Sequence, residues 1–285
     1  MSKGDKRDER DTGGKGELKT PLSPVIDFHT HCFPDDIAAR ALAKLGKGAN
    51  LTPYVDGTVS GLRSSMKRGG VDCSVVLPVA VKPEHIRGTN EWMLQQHGDG
   101  IFSFASLHPA CKNFEDEILR IRDMGFRGVK LHPEYQEFWV DDEALRPFYR
   151  ALGKAGLVTV FHAGVDIGLM DYVRGTPERF RRALPWFEGG VVVLAHFGGF
   201  RVQDEVEKHL AGQDVWFDTS FAQHELSAEV QVRLIRSHGV NRVLFGTDSP
   251  WDDQAEQVAA FRKLPLTEAE KAAILGGNAA GLLLL

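Results

Sequence analysis

From Val25 onward, short apolar and β-branched runs alternate with longer stretches whose apolar residues recur at three- and four-residue spacing. The short runs are Val25–Thr30, Ser74–Val79, Phe102–Leu107, Gly128–Leu131, Val158–Phe161, Val191–Ala195, Val215–Asp218 and Val243–Gly246, and each predicts a strand. Helical stretches lie between them. Asn113–Met124 carries Phe114, Ile118 and Ile121 on one face. Asp142–Ala155 opens on an acidic cap and stops before Gly156. Ala228–His238 sets Val232 and Ile235 together and ends at Gly239. Strands that alternate with helices predict a parallel sheet with crossover connections. A closed barrel and an open doubly wound sheet share this pattern. They differ in where polar residues fall: at the C-terminal ends of several strands in a barrel, near one switch point in an open sheet. Asn50–Gly70, with Pro53, Tyr54 and a helical stretch from Thr58 to Arg68, reads as an extended first connection that covers the barrel mouth. Thr267–Leu285 reads as further helix outside the barrel.

Residues 1–24 are charged and glycine-rich, with too little apolar surface to offset the entropy of ordering. They are expected to be a disordered leader, with residues 25–285 forming a single barrel domain. The 285 residues, 42% apolar, suffice for a barrel, which typically needs about 250. A net charge of -5 offers no basic field for nucleic acid. No signal-type apolar segment opens the chain, and no run approaches the ~20 apolar residues of a membrane helix. Cys32, Cys73 and Cys111 are odd in number and form no C-x-x-C pair. Reduced thiols in a cytoplasmic protein follow. The expected partner is a small-molecule substrate, with a homo-oligomer allowed and neither nucleic acid nor membrane involved.

The chemistry gathers at strand ends. In Asp27-Phe28-His29-Thr30-His31, strand alternation puts His29 and His31 on one face, where neutral imidazoles suit zinc, manganese, iron or nickel. Asp27 shares that face, deeper, and suits an acceptor for a ligand imidazole. H-x-H alone is common by chance. The other ends add weight: Lys130-Leu131-His132-Pro133, His162-Ala163-Gly164, His196-Phe197-Gly198-Gly199 and Gly246-Thr247-Asp248. Polar residues do mark where strands leave a core, but histidine at four of the eight ends is more than that requires. A barrel would bring these ends to one point. The glycines after His162 and His196 would let backbone approach a substrate. Lys82, His132 and Gln136 could line the mouth, with Trp251 and Trp139 as apolar walls. His85, His97, His108, His209, His224 and His238 lack partner spacing and read as ordinary histidines. Cys32 should face away from the site.

His29-Thr30-His31 with Pro34, His162, His196-Phe197-Gly198-Gly199, Gly246-Thr247-Asp248-Ser249-Pro250-Trp251 and Leu275-Gly276-Gly277-Asn278-Ala279-Ala280 together resemble the amidohydrolase superfamily. The likeness is to the amidohydrolase-related branch of hydrolases, lactonases and non-oxidative decarboxylases. It implies a (β/α)8 TIM barrel with an extra C-terminal helix. It implies His29, His31, His162 and Asp248 as ligands of one or two divalent ions, zinc first and manganese, iron or nickel as alternatives. Asp248 would also shuttle a proton, and His196 would bind a second metal or polarise the substrate. Lys130 matches in part the position of a bridging carbamylated lysine, and substrate contacts would come from Lys82, Lys130, His132, Gln136 and Trp251. The leading expectation is hydrolysis of a small amide, ester or lactone by metal-activated water. Non-oxidative decarboxylation of a carboxylated ring or enoate is the alternative. A catalytically inactive metal- or ligand-binding barrel is the alternative of another class, and it would show erosion of Asp248 or His196.

Overall fold

Eight parallel strands follow one another around a closed ring. They are β1 (Ile26–Thr30), β2 (Cys73–Val76), β3 (Ile101–Ser103, continued at Ala105–Ser106), β4 (Gly128–Leu131), β5 (Val158–Phe161), β6 (Val192–Leu194), β7 (Trp216–Asp218) and β8 (Val243–Leu244). The structure is a computed structural model that describes Met1, residues 24–222 and residues 225–285. Most of the expected leader, and His224, therefore lie outside the described residues. Each strand pairs with the next, and β3 changes partner at Phe104. Residues 101–103 pair with β2 and Ala105–Ser106 with β4. The ring closes where Phe28 N–H donates to Phe245 O (2.8 Å), Asp248 N–H to His29 O (2.8 Å) and His31 N–H to Ser249 O (2.7 Å). This is the (β/α)8 barrel that alternation and strand-end chemistry predicted.

Two apolar layers hold it. Ile26, Phe28, Val75, Leu77, Phe104, Val158, Val160, Val193 and Leu244 fill the interior, as side chains do in a barrel of this size. A second layer lies between the strands and the outer helices. The C-terminal segment is not peripheral as expected. The helices Glu268–Ala272 and Asn278–Leu283 flank a wider turn, and Ala279 and Leu283 join the interior cluster. Gly276 permits this docking, since a Cβ there would lie 1.7 Å from Pro24 O.

The first crossover carries two helices. Asp35 and Asp36 open α1 (Asp35–Ala49), where negative charge suits the helix dipole, and Asn50 ends it in a left-handed conformation. Thr58 caps α2 (Val59–Gly69), which ends at Gly70. Helix α2 packs against the helix Gln254–Arg262 on the outside of the barrel. Among residues 50–70, only Leu51 faces the cavity at the mouth. The cover expected of that segment comes from α1, as shown below.

Candidate metal centre

The four expected ligands His29, His31, His162 and Asp248 meet the cavity at the C-terminal end of the strands, with Lys130, His132, His196 and Trp251, also expected, and Asp166, which was not. His29 Nε2 lies 3.2 Å from His31 Nε2. Asp248 Oδ1 lies 3.1 Å from His31 Nε2 and 3.4 Å from His29 Nε2. These three form one metal-capable cluster. His162 belongs instead to a neighbouring group with His132 and Asp166. The four expected ligands thus share a cavity but divide between two adjacent groups. His132 and His162 stack at 4.3 Å with planes 7° apart. Their in-plane lone pairs run parallel and do not converge.

Hydrogen bonds outside the cluster decide which nitrogens face inward. His29 Nδ1 is 2.8 Å from Asp218 Oδ2. His31 Nδ1 is 2.7 Å from Leu77 O. His196 Nδ1 is 3.0 Å from Ser220 O, and its Nε2 is 3.2 Å from His162 Nδ1. Carbonyls and ionised carboxylates only accept, so each Nδ1 carries the hydrogen when the ring is neutral. The Nε2 atoms of His29, His31 and His162 are then bare lone pairs. His162 Nε2 is buried and has no hydrogen-bond partner among the described residues. Three acceptors within 3.1–3.4 Å of one another at His29, His31 and Asp248 need a shared cation or proton between them. Two imidazoles fixed by outer acceptors, together with a carboxylate, are a donor set that suits a divalent ion.

The charges agree. Burial, helped by Lys130, lowers the His29 imidazole from 6.5 to about 4, against the pull of Asp218. Burial raises Asp218, but His29, His196 and Ser220 outweigh it and hold that carboxyl below the usual range. Burial likewise opposes the ionisation of Asp248, yet the bond with His31 and the fields of His29 and His196 keep it low. Lys130 is fully buried with Nζ 3.4 Å from His29 Nε2, and burial pulls its ammonium down to about 8.

Several expected roles are corrected. Asp27 does not reach a ring. The register of β1 against β2 shifts between Asp27 and Thr30, so strand alternation does not carry to the strand end. Its carboxylate accepts from His29 N, Thr247 N, the Thr247 hydroxyl and Gln254 Nε2, although burial pushes it up to about 7. Asp218 is the acceptor instead. Lys82 is exposed at the start of a short 3-10 turn and does not line the cavity. Gln136 is buried, and its amide is spent on Ala80 O, Leu107 O and His132 N. Trp139 lies outside the cavity, under the guanidinium groups of Arg174 and Arg179. His85, read as ordinary, lies on the cavity wall. Cys32 contributes to the wall too, although its sulfur points to Thr58 O at 3.7 Å. The glycines after His162 and His196 serve loop packing rather than substrate approach. A Cβ on Gly164 would lie 2.2 Å from Phe200 N, and one on Gly198 2.6 Å from the Phe217 ring.

Asp166, Asp218 and Ser220 were missed by sequence reasoning. Asp218 ends β7 as the histidines end their strands, so the same rule would have found it. Asp166 follows His162 by four residues in a loop, with no periodic signal. His132 Nδ1 accepts from Tyr135 N at 3.4 Å, and its Nε2 is 3.3 Å from Asp166 Oδ2. That pair locks the ring that stacks on His162.

Gly246 tests how tightly the centre is built. A Cβ there would lie 2.9 Å from His29 Cβ and 3.4 Å from Asp218 Cβ, and neither backbone-anchored atom has room to yield. Gly246→Ala is expected to cost about 1–3 kcal/mol of stability and to lower metal content. Urea unfolding with metal analysis checks both. Unchanged stability and full occupancy would show that the centre has slack.

A parallel barrel with a buried histidine–aspartate cluster at its C-terminal mouth defines a class of metal-centred barrel enzymes. The chain belongs to the amidohydrolase family (Amidohydro_2, Amidohydrolase), whose profile matches residues 26–285. No curated protein matches the sequence significantly. Among solved structures it is similar to 5-carboxyvanillate decarboxylase from Sphingomonas paucimobilis, at 16% identity and a TM-score of 0.69, covering 92% of this chain and 99% of that one. It is also similar to a dihydroxybenzoic acid decarboxylase from Polaromonas sp. JS666 with bound manganese, at 16% identity and a TM-score of 0.70, covering 93% and 98%. A third is a candidate 2-pyrone-4,6-dicarboxylic acid hydrolase from Pseudomonas putida, at 18% identity and a TM-score of 0.65, covering 92% and 97%. At these identities the likeness shows the fold. No helix among the described residues is long and apolar enough to cross a membrane.

Proposed function

We propose that the chain is a divalent-metal-dependent enzyme that decarboxylates a carboxylated ring or enoate without redox chemistry. His29, His31 and Asp248 hold the ion, and His162 contributes its bare Nε2. Zinc suits this set first, and manganese, bound in the Polaromonas structure, comes next. When bound, the ion supplies a positive field for a carboxylate or carbonyl oxygen and, for hydrolysis, acidifies water.

The observation that carries the reaction class is the cavity. Its strongly polar groups crowd one end, around the histidines, Lys130 and the two aspartates. Tyr135 stands at that end too, its ring centroid 4.4 Å from that of His132, and the remaining hydroxyl or imidazole side chains on the wall among the described residues are His85 and Thr89. Decarboxylation turns a carboxylate into carbon dioxide and a C–H bond, so its products are less polar than its substrate and suit such a chamber. The carbon–carboxylate bond breaks, its electron pair stays on the ring or enoate carbon, and a proton takes the vacated place. His196 and Asp248 are the groups positioned to hold and deliver that proton, His196 at Nε2 and Asp248 at Oδ1. Lys130 supplies a buried donor beside the carboxylate.

Hydrolysis of a small amide, ester or lactone is the second reading, and Asp248 favours it. An ionised carboxylate at the cavity mouth can take a proton from water and return it to a leaving group. The presence of both Asp248 and His196 at the cavity weighs against an inactive binding barrel. Turnover in labelled water separates the two reactions. Metal-reconstituted protein is given aromatic and enoic carboxylates, lactones, esters and amides. Decarboxylation should release carbon dioxide and place one solvent deuterium on the vacated carbon. Product labelled by ¹⁸O from water, with no carbon dioxide from any carboxylate, would reject decarboxylation in favour of hydrolysis.

A further inference from the structure

The cavity holds about 640 Å³, within the range of drug-sized ligand pockets and more than a single carboxylated ring fills. Its roof is α1. Ile37, Ala41, Leu45 and Ala49 are half-buried and line the cavity. They recur every fourth residue and so form one stripe along the helix. The other face of α1 is already used, with Ala38, Leu42 and Gly46 buried against the protein. Helix α1 is thus apolar on two sides, and only one of them packs on the chain. The rest of the apolar wall includes Val81, Trp92, Ile167 and Trp251. Val81 is exposed at the rim, as are Leu169 and Met170 just beyond Gly168 on the loop after β5. Among the described residues no arginine lines the cavity, and Lys130 is its one lysine, at the histidine end.

We infer that the substrate is an elongated monoanion, with one acidic head at the histidine cluster and a bulky aryl or alkyl body lying along the α1 stripe. The head rests on the reaction proposed above. The body rests on the cavity wall alone. A second carboxylate on that body would be buried with no lysine or arginine to pair it, which is strongly unfavourable. The apolar body gains by leaving water. Ala41 and Ala49 make the room, since a larger side chain at either position would enter the cavity. These two alanines and Leu45 determine specificity by volume.

The test is binding, not turnover. Metal-reconstituted full-length protein is titrated with benzoate, biphenyl-4-carboxylate, isophthalate and neutral biphenyl-4-carboxamide, followed by calorimetry and by the fluorescence of Trp92 and Trp251 on the wall. Biphenyl-4-carboxylate should bind at least about tenfold tighter than benzoate, as expected for burying a further ring, and isophthalate at least about tenfold more weakly. Ala41→Trp should remove the preference for the longer ligand, bringing the affinity for biphenyl-4-carboxylate down to that for benzoate. Should that variant fail to fold, Leu45→Asn, which adds no volume, should shrink the same preference. Equal affinities for the long and short monoanions, isophthalate as tight as benzoate, or a preference that survives both variants would each overturn the inference. A carboxamide that binds as tightly as the carboxylate would overturn the anionic head. Absence of carbon dioxide release would reject the reaction proposed above while leaving these affinities standing, so the two failures are distinguishable.

Discussion

Asp248→Asn should give a folded, metal-loaded protein whose turnover falls by about 10²–10⁴, the loss typical of removing a general acid or base. The structure makes asparagine the right replacement. Asp248 sits at φ 72°, in the left-handed region, where asparagine is among the few side chains tolerated. Asparagine also keeps an oxygen near His31 Nε2 while removing the charge and the proton acceptor. His31→Ala should differ. It deletes a member of the cluster, so metal leaves first and activity follows, with partial recovery in excess metal. Metal stoichiometry and single-turnover rate, measured on both variants, separate the two effects. A near-normal rate for Asp248→Asn at full occupancy would move proton transfer to His196, which lines the same cavity.

Asp218→Asn should leave the melting temperature close to that of the parent yet weaken metal binding by about 10–100-fold, the usual consequence of losing an outer carboxylate. Asp218 is fully buried and works on two sides. Its Oδ1 accepts from His196 N (3.1 Å), Ser220 N (3.0 Å) and the Ser220 hydroxyl, and its Oδ2 faces His29 Nδ1 at 2.8 Å. Asparagine preserves the first side with its carbonyl. On the second it presents an N–H₂ group, which His29 must meet with a lone pair at Nδ1. The hydrogen then moves to Nε2 and blocks the atom that faces the cluster. Asp218→Ala should cost stability as well, because the buried N–H donors lose their acceptor at about 1–3 kcal/mol each. Metal affinity by competition with a chelator, alongside thermal unfolding, reads both effects. If Asp218→Asn bound metal as tightly as the parent, the tautomer of His29 would not be set from β7.

Much of the architecture was legible because it is written in local pattern. Buried parallel strands need apolar side chains on both faces, and their crossover helices need one apolar stripe. Eight short runs and the periodic stretches between them therefore predict a parallel sheet with crossovers, and the polar residues at several strand ends point to its closed form. The strand-end histidines and Asp248 were legible for a related reason. A polar residue closing an apolar strand is conspicuous, and barrel geometry places such ends at one mouth. Asp218 closes β7 in the same way and falls under the same rule, although a strand-end aspartate stands out less than a histidine.

What the sequence by itself determined is the order of strands and helices, the end of the barrel that bears the chemistry, and the residue types that meet there. Tertiary structure alone decided which atoms those residues present. The shift in β1 register turned Asp27 to Thr247 and Gln254. The acceptors Asp218, Leu77 and Ser220 aimed each Nε2 inward from strands and loops far away in sequence. His162 came to stack on His132, in a group adjacent to that of His29, His31 and Asp248. Only the fold laid the second face of α1 over the mouth. Periodicity records that a helix has an apolar face, but whether chain or ligand covers it depends on where the other strands place their ends.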